Sequence, residues 1–373
     1  MSTPLPDPSG GDGSAPRPRR KRYRGTHPRR FDEKYKELNP RAHPEIVEHV
    51  RAQGRTPAGM HVPILLQEAL AALAPQPGHT VVDCTLGYGG HAAALIERIS
   101  PGGRFIGLDV DGAELPQAET RLRGLPVAAD VELTFVRSNF AGLPGVLARL
   151  GAVDADGGDA PAAAGLMQAD AILADLGVSS MQLDNPARGF SYKAGGPLDL
   201  RLDDRVKQTA ADWLARLPQK ELVRIFEQYA DEPLAEEIVR TRAAAPLQTA
   251  PQLLRLIDRV RREAGASREE LRDRSTAARV FQALRIHVND ELGALRNLLR
   301  VLPDCLRPGG RVGILTFHSG EDRLVKHAFR DGRAAGIYSQ IAEEPVRPGR
   351  EEVRSNPRSA SAKLRWAVRA ATA

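Results

Sequence analysis

Two cysteines, Cys84 and Cys305, are too few for a disulfide framework in 373 residues, and neither has the spacing of a zinc site. A reducing, cytoplasmic setting is therefore expected. No apolar run approaches the roughly 18 residues of a membrane helix, so no membrane partner is expected. The N-terminus lacks the apolar core of a secretory signal. Also missing is G-x-G-x-x-G, the turn that seats a pyrophosphate on a helix N-terminus, which speaks against an NAD-dependent oxidoreductase. A general excess of positive charge is absent as well. The formal net charge is +6, but residues 1–41 hold eleven Arg or Lys against five Asp or Glu. The remainder is formally neutral.

The basic excess is thus a tail. Its stretch Arg17-Pro-Arg-Arg-Lys-Arg-Tyr-Arg24 follows Pro and Gly and has no hydrophobic periodicity. Residues 1–57 are expected to be a disordered basic extension. Phosphate attraction and simple solubility suit it equally. Asp7, Asp12 and the early prolines spoil the amphipathic helix of a transit peptide.

What is present is a strand, a glycine turn and a helix: Val81-Val82-Asp83-Cys84-Thr85-Leu86-Gly87-Tyr88-Gly89-Gly90-His91, then Ala92 to Ile96. A second strand, Phe105 to Asp109, ends in an acid 20 residues after Gly89. In doubly wound folds such an acid lies where ribose hydroxyls bind. Asp83, four residues before the first glycine, suits a ligand with a cationic end better than a pyrophosphate. S-adenosylmethionine, with its sulfonium and ammonium, fits that description. The turn alone is equally compatible with a structural loop or another nucleotide.

Further strands are predicted at Val131 to Phe135, Ala169 to Asp175, Val312 to Phe317 and Ala362 to Arg369, with a Gly/Ala-rich surface loop at Gly151 to Gly165. From about Asn185 to Arg274 the pattern is helical, and a single helix is predicted from Ala278 to Leu302. The expected fold is α/β, a mostly parallel doubly wound sheet over residues 58–184 and 275–373, with an all-helical domain inserted at 185–274. Asp83, Asp109, Asn139-Phe140, Asp175 and His318 fall at strand carboxyl ends, where such sheets bind ligand. Asp175 could instead cap the next helix. His318 is a candidate proton acceptor, against a capping Ser319 with a surface charge pair. Arg285 and Asn289 sit four apart on a helix that is otherwise core.

Together these motifs closely resemble the RsmH (MraW) type of 16S rRNA (cytosine-N4)-methyltransferases. The resemblance runs from His61-Val-Pro through Gly-Tyr-Gly-Gly-His91, Asp175-Leu-Gly-Val-Ser-Ser-x-Gln-Leu-Asp184, Arg188-Gly-Phe-Ser, Pro197-Leu-Asp, Phe281-Gln-Ala-Leu-Arg-Ile and His318-Ser-Gly-Glu-Asp-Arg323 to Leu364. It implies a class I S-adenosylmethionine-dependent methyltransferase (Rossmann-like) with an inserted helical domain. It places cofactor contacts on Gly89, Gly90 and His91, the ribose on Asp109 and the adenine by Phe140. Asp175 and Gln182 would lie near the methionine end and the methyl. Asp175 and His318 are the catalytic candidates, and no metal site is expected. The implied substrate is one cytosine of the decoding centre, cytosine 1402 in the usual numbering, in small-subunit 16S rRNA within the 30S subunit. The oligomeric state stays open, a dimer among the options. Gly320 stands where the family has leucine, and Ala360 where it has arginine, which touches RNA contacts more than catalysis. A non-catalytic ribosome-assembly factor that keeps the fold is the alternative.

Overall fold

Short strands buried on both faces need helices above and below them, and the chain supplies both. The computed structural model describes residues 63–156, 166–191, 195–242 and 246–371. The basic extension, His61, Val62 and Tyr192 lie outside the described residues.

The parallel strands are β1 (Thr80–Asp83), β2 (Arg104–Asp109), β3 (Glu132–Arg137), β4 (Ala169–Asp175), β5 (Leu306–Thr316) and β6 (Tyr338–Ile341), and β7 (Lys363–Arg369) runs against them. The sheet order is β3-β2-β1-β4-β5-β7-β6. Strand order reverses between β1 and β4, and the crevice at their carboxyl ends is where doubly wound sheets hold ligands. β1 is buried at all four residues.

One face of the sheet carries α1 (Leu66–Leu73), α2 (Gly90–Ile99) and α3 (Leu115–Arg123), whose Leu70, Leu95, Ile96 and Leu122 pack with Val81, Phe105, Leu173 and Leu315. The other face carries α4 (Leu143–Asp156), and a core of Leu147, Leu298, Leu302 and Phe329 with Val82, Ile106, Ile172 and Ile314. After β4 come α5 (Ser180–Asp184), α6 (Ala210–Arg216), α7 (Gln219–Ala230), α8 (Ala235–Arg242), α9 (Ala250–Glu263) and α10 (Ser275–Asn289). Leu214, Leu222, Phe226, Ile238, Leu253 and Ile257 form a separate apolar cluster, completed by Val280 and Leu284 of α10. Then follow α11 (Glu291–Cys305), α12 (Ser319–Ala334) and α13 (Arg350–Ser355).

Three local expectations change. Gly151 to Asp156 continue α4 rather than open a loop; residues 157–165 lie outside the described residues. The single helix expected from Ala278 to Leu302 is two, because Asp290 turns left-handed at φ 47 and caps α10 through its N–H to Ile286 and His287. β6 was not expected: it has four residues, the middle two exposed, too short for an alternation signal.

Candidate active site

Glycine at three positions shapes the turn after β1, for different reasons. Gly89 has φ 77, and a Cβ there would come within 2.9 Å of the Arg121 guanidinium and 3.0 Å of Leu122. A Cβ on Gly90 would strike Pro63 at 2.7 Å. A side chain at either position would therefore meet the protein's own packing. Gly87, at φ 48, has only Thr85 O at 3.9 Å before its absent side chain, so it is the glycine that leaves room for a ligand.

Asp109 closes that turn onto β2. Its Oδ2 accepts from Gly87 N at 2.6 Å and its Oδ1 from Asp111 N at 2.9 Å. Each oxygen keeps a lone pair for a hydroxyl donor. Asp83 lies beneath, its Oδ1 accepting from Thr85 N at 3.1 Å, while Thr85 Oγ1 accepts from Asp175 N at 2.6 Å. The ends of β1 and β4 are thus tied together.

Asp175 is the exceptional group. Its Oδ1 is sealed from solvent and has no hydrogen-bond partner, although 29% of the side-chain surface stays open. Burial first, then the charges of Asp83 and Glu321, push its pKa up to about 8; water at the open face softens that shift. Burial and the nearby Asp109 push Asp83 up to about 7, and burial raises Asp109 as well. Among the described residues none of the three pairs with an arginine or lysine. Such a set repels its own ionisation and would be relieved by a cation, which is what a sulfonium and an α-ammonium supply.

His91 underlies Asp175. It is 6% exposed, its Nε2–H donates to Ile64 O at 3.0 Å, and its Nδ1 lies 3.5 Å from Asp175 Oδ2. Burial lowers its pKa to about 4, so the ring is neutral. Gln182 is likewise occupied: its Nε2 donates to Asp111 Oδ2 at 2.9 Å, and its Oε1 closes a capping box with Ser179. Phe140 opens a short 3-10 turn, half-buried against the α4 side of the sheet. Asn139 spends its side chain capping that turn.

The His318 region differs from the surface cap that the sequence suggested. His318, not Ser319, caps α12, with Nδ1 accepting from Glu321 N at 3.4 Å. Its Nε2 lies 3.1 Å from Glu321 Oε1, an electrostatic contact at an angle poor for a hydrogen bond. Glu321 is buried, 2% exposed, and its Oε2 accepts from Phe317 N at 2.8 Å. Both ring nitrogens therefore face Glu321. Glu291, His318 and Glu321 bring ligand atoms within 4.8 Å of one another, yet Glu291 is chelated by Arg285 at 2.7 and 2.8 Å. The group is an ion-pair network with its charges already answered.

Asp111, which sequence reasoning passed over, joins the cleft to the segment that follows. It is 2% exposed and accepts from Arg188 Nη1 at 2.6 Å as well as from Gln182. Burial alone would raise its pKa, but those two partners hold it below the usual value. Arg188 Nη2 also donates to the carbonyls of Arg201 and Leu202, both at 3.1 Å. Asn289 grips the same segment, accepting from Leu202 N at 2.7 Å and donating to Leu200 O at 2.8 Å. Arg137, at the end of β3, reaches Asp203 and Asp204. The signal for Asp111 was in view: it is the second acid of Asp109-Val-Asp111.

Residues 58–370 match the model of the MraW methylase family. The chain belongs to that family. A protein named "Ribosomal RNA small subunit methyltransferase H 1" from Lachnoclostridium phytofermentans is 42% identical over 357 residues, covering 94% of this chain and 93% of its own. A second of that name from Agathobacter rectalis is 41% identical over 357 residues, covering 94% and 97%. The "Ribosomal RNA small subunit methyltransferase H" of Symbiobacterium thermophilum is 41% identical over 334 residues, covering 83% and 96%. The sheet described above is accordingly the class I methyltransferase fold, and the cofactor of this family member is S-adenosylmethionine. The acids around Asp175, the opening at Gly87 and the carboxylate of Asp109 are the groups that would hold it.

Proposed function

We propose that this protein methylates N4 of one cytosine in small-subunit rRNA, at the decoding-centre position 1402 of the usual numbering, within the 30S subunit. Support comes from the relatives' names and, within the site, from Asp175, whose side chain keeps 29% of its surface open at the end of β4 and pairs with no arginine or lysine among the described residues. The open face of that carboxyl can accept from a donor, and an exocyclic amine is one. S-adenosylmethionine supplies an electrophilic methyl group beside it.

Cytosine N4 conjugates with its ring and is a weak nucleophile. Asp175, ionised once a cation lies beside it, accepts a hydrogen bond from N4–H and localises the lone pair toward the methyl carbon. Bound S-adenosylmethionine would supply the methyl to N4 by in-line displacement, with S-adenosylhomocysteine as the other product, and Asp175 takes the proton that N4 gives up. His91, fixed through Nε2–H on Ile64 O, turns the lone pair of Nδ1 to Asp175 and so favours the carboxyl once it has taken that proton. His318, with both nitrogens turned to Glu321, holds the start of α12. Most of the acceleration is alignment of N4, methyl carbon and sulfur. The base reaches the cleft unpaired or flipped out, and residues 185–274 serve as the substrate-recognition domain. Gly89, Gly90 and His91 shape the cofactor turn, Asp109 holds the ribose, and Phe140 lies by the adenine. Gln182 positions Asp111.

The test is methyl transfer to small subunits lacking the modification, followed by mass spectrometry of the rRNA nucleosides. N4-methylcytidine at one decoding-centre position is expected. Cofactor binding with no transfer to any subunit preparation would point instead to the assembly-factor alternative.

A further inference from the structure

The described chain is nearly neutral overall, yet one groove on it is strongly basic. Between α8 and α9 lies a cavity of about 540 Å³, lined among others by Arg242, Arg255, Arg259 and Arg262. No acid is among its lining residues. The spacing of 255, 259 and 262 puts three guanidinium groups on one face of α9. The opposite face, with Leu253, Ile257 and Val260, is buried in the helical core, and Leu256 floors the groove. Arg255, Arg259 and Arg262 are exposed, and among the described residues none has an ion-pair partner. Other arginines of this region are taken: Arg261 donates to the carbonyls of Asp273 and Glu270 at 2.6 Å, and Arg274 pairs with Asp258 at 2.6 Å. Arg242 donates to Leu217 O at 2.6 Å from the groove wall, while its Nε is buried without a partner.

The helix dipole explains a basic residue in the last turn, hence Arg262, but not Arg255 in the middle of the helix. Asp258 and Glu263 share this helix, but Asp258 is taken up by Arg274, and among the described residues no ion pair ties either acid to Arg255, Arg259 or Arg262. The groove's inner end is fastened to the substrate-facing segment. Gln252, which lines it, accepts from Gln248 N at 2.8 Å and Thr249 N at 2.9 Å; Gln248 O accepts from Leu198 N at 2.8 Å. From there Leu200 N donates to Arg188 O at 3.3 Å, and Arg188 reaches Asp111 at the cleft.

We propose that this groove binds the sugar–phosphate backbone of the substrate RNA, with Arg255, Arg259 and Arg262 each pairing with a phosphate. Guanidinium forks match phosphate oxygens, and three on one helix face track a strand rather than read its bases. The inference rests on the proposed RNA substrate. It adds a backbone contact on the helical region, away from the methyl-transfer cleft, that positions the strand for delivery of its base.

The full-length protein and its Arg255→Ala/Arg259→Ala/Arg262→Ala variant are compared in two assays. The first is binding to small subunits lacking the modification, as a function of salt. The second is the KM and kcat of methyl transfer to them. The slope of log affinity against log salt should become shallower by roughly 2 to 3, at about one per phosphate contact. KM should rise at least about tenfold, with kcat and S-adenosylmethionine binding unchanged; lysines at the three positions should restore most of the slope. An unchanged slope and KM in a folded variant overturn the proposal, as does binding to anionic vesicles in place of RNA. If the wild type binds the subunits salt-dependently but transfers no methyl, the functional reading fails while the slope still decides the groove.

Discussion

His91 Nδ1 lies 3.5 Å from Asp175 Oδ2, while the same ring donates through Nε2 to Ile64 O at 3.0 Å. The second contact fixes the tautomer: the nitrogen facing Asp175 carries a lone pair. A lone pair toward a carboxylate repels, and toward a carboxylic acid it attracts. The elevated pKa of Asp175 therefore agrees with the orientation of the imidazole beneath it. At neutral pH the carboxyl of Asp175 carries a proton and the Nδ1 that faces it carries none.

That relationship sets the pH dependence of cofactor binding. Asp83 and Asp175 have folded pKa values of about 7 and about 8, above the ordinary carboxylate value of ~3.9. Between roughly pH 4 and 8 the folded state holds more protons than the unfolded state, so stability falls as pH rises through that window. A cation binds best to the ionised acids, so affinity should rise over the same range. We expect the affinity for S-adenosylmethionine to climb by up to about tenfold per pH unit for each proton released, then level above pH 8. S-adenosylhomocysteine, lacking the sulfonium charge, should show a weaker slope. Calorimetric titrations of both ligands from pH 6 to 9 measure this, and parallel slopes would show that Asp175 does not sense the sulfonium.

Replacing His91 isolates its supporting role. His91→Leu keeps most of the buried volume but leaves Ile64 O without its donor, a cost of about 1–3 kcal/mol. It also removes the acceptor beneath Asp175. We expect a loss of stability near 2 kcal/mol by urea unfolding, and a fall in kcat that exceeds any change in cofactor affinity. A variant with wild-type kcat would reduce His91 to a packing residue.

Asp111 joins three parts of the chain, so its loss should be felt beyond its own strand end. Asp111→Ala strands Arg188 and Gln182 in a largely dry environment, and breaking a buried pair in this way costs about 3–5 kcal/mol. Arg188 keeps 22% of its side-chain surface, which puts the expectation at the lower end, about 3 kcal/mol. Arg188→Ala should cost as much, and the double variant little more, because both remove one interaction. Additive losses in denaturant unfolding would show that the two residues act separately.

The acids at strand ends were legible because three rules coincided at each: an apolar run, its termination and a carboxylate. Asp83, Asp109 and Asp175 do meet at the crevice for that reason. The interior of the site was less legible. Gly89 and Gly90 read as ligand-facing, but what they avoid is Arg121, Leu122 and Pro63, and contacts so distant in sequence leave no local pattern. His318 reads either as a proton acceptor or as the neighbour of a capping Ser319 with a surface charge pair, yet His318 is itself the cap and Glu321 is buried beneath it, which only the packing of α12 on the sheet reveals. Asp290 broke a helix that periodicity ran straight through, since a left-handed aspartate resembles any polar surface position.

Leu200 offers a case in which two opposing effects can be weighed. It holds φ 62, a left-handed conformation that costs a non-glycine residue roughly 1–2 kcal/mol, and it is 1% exposed. The clamps from Arg188 and Asn289 on either side keep the backbone there. Leu200→Gly would relieve that strain and remove a buried side chain, whose truncation in a core costs about 2–5 kcal/mol. The second effect is larger, so the variant should be less stable, by about 2 kcal/mol in urea unfolding. On the substrate-recognition role proposed for residues 185–274, it should also raise KM for the small subunit more than it lowers kcat. Stabilisation instead would mean that the leucine packs poorly and that the strain is held for function alone.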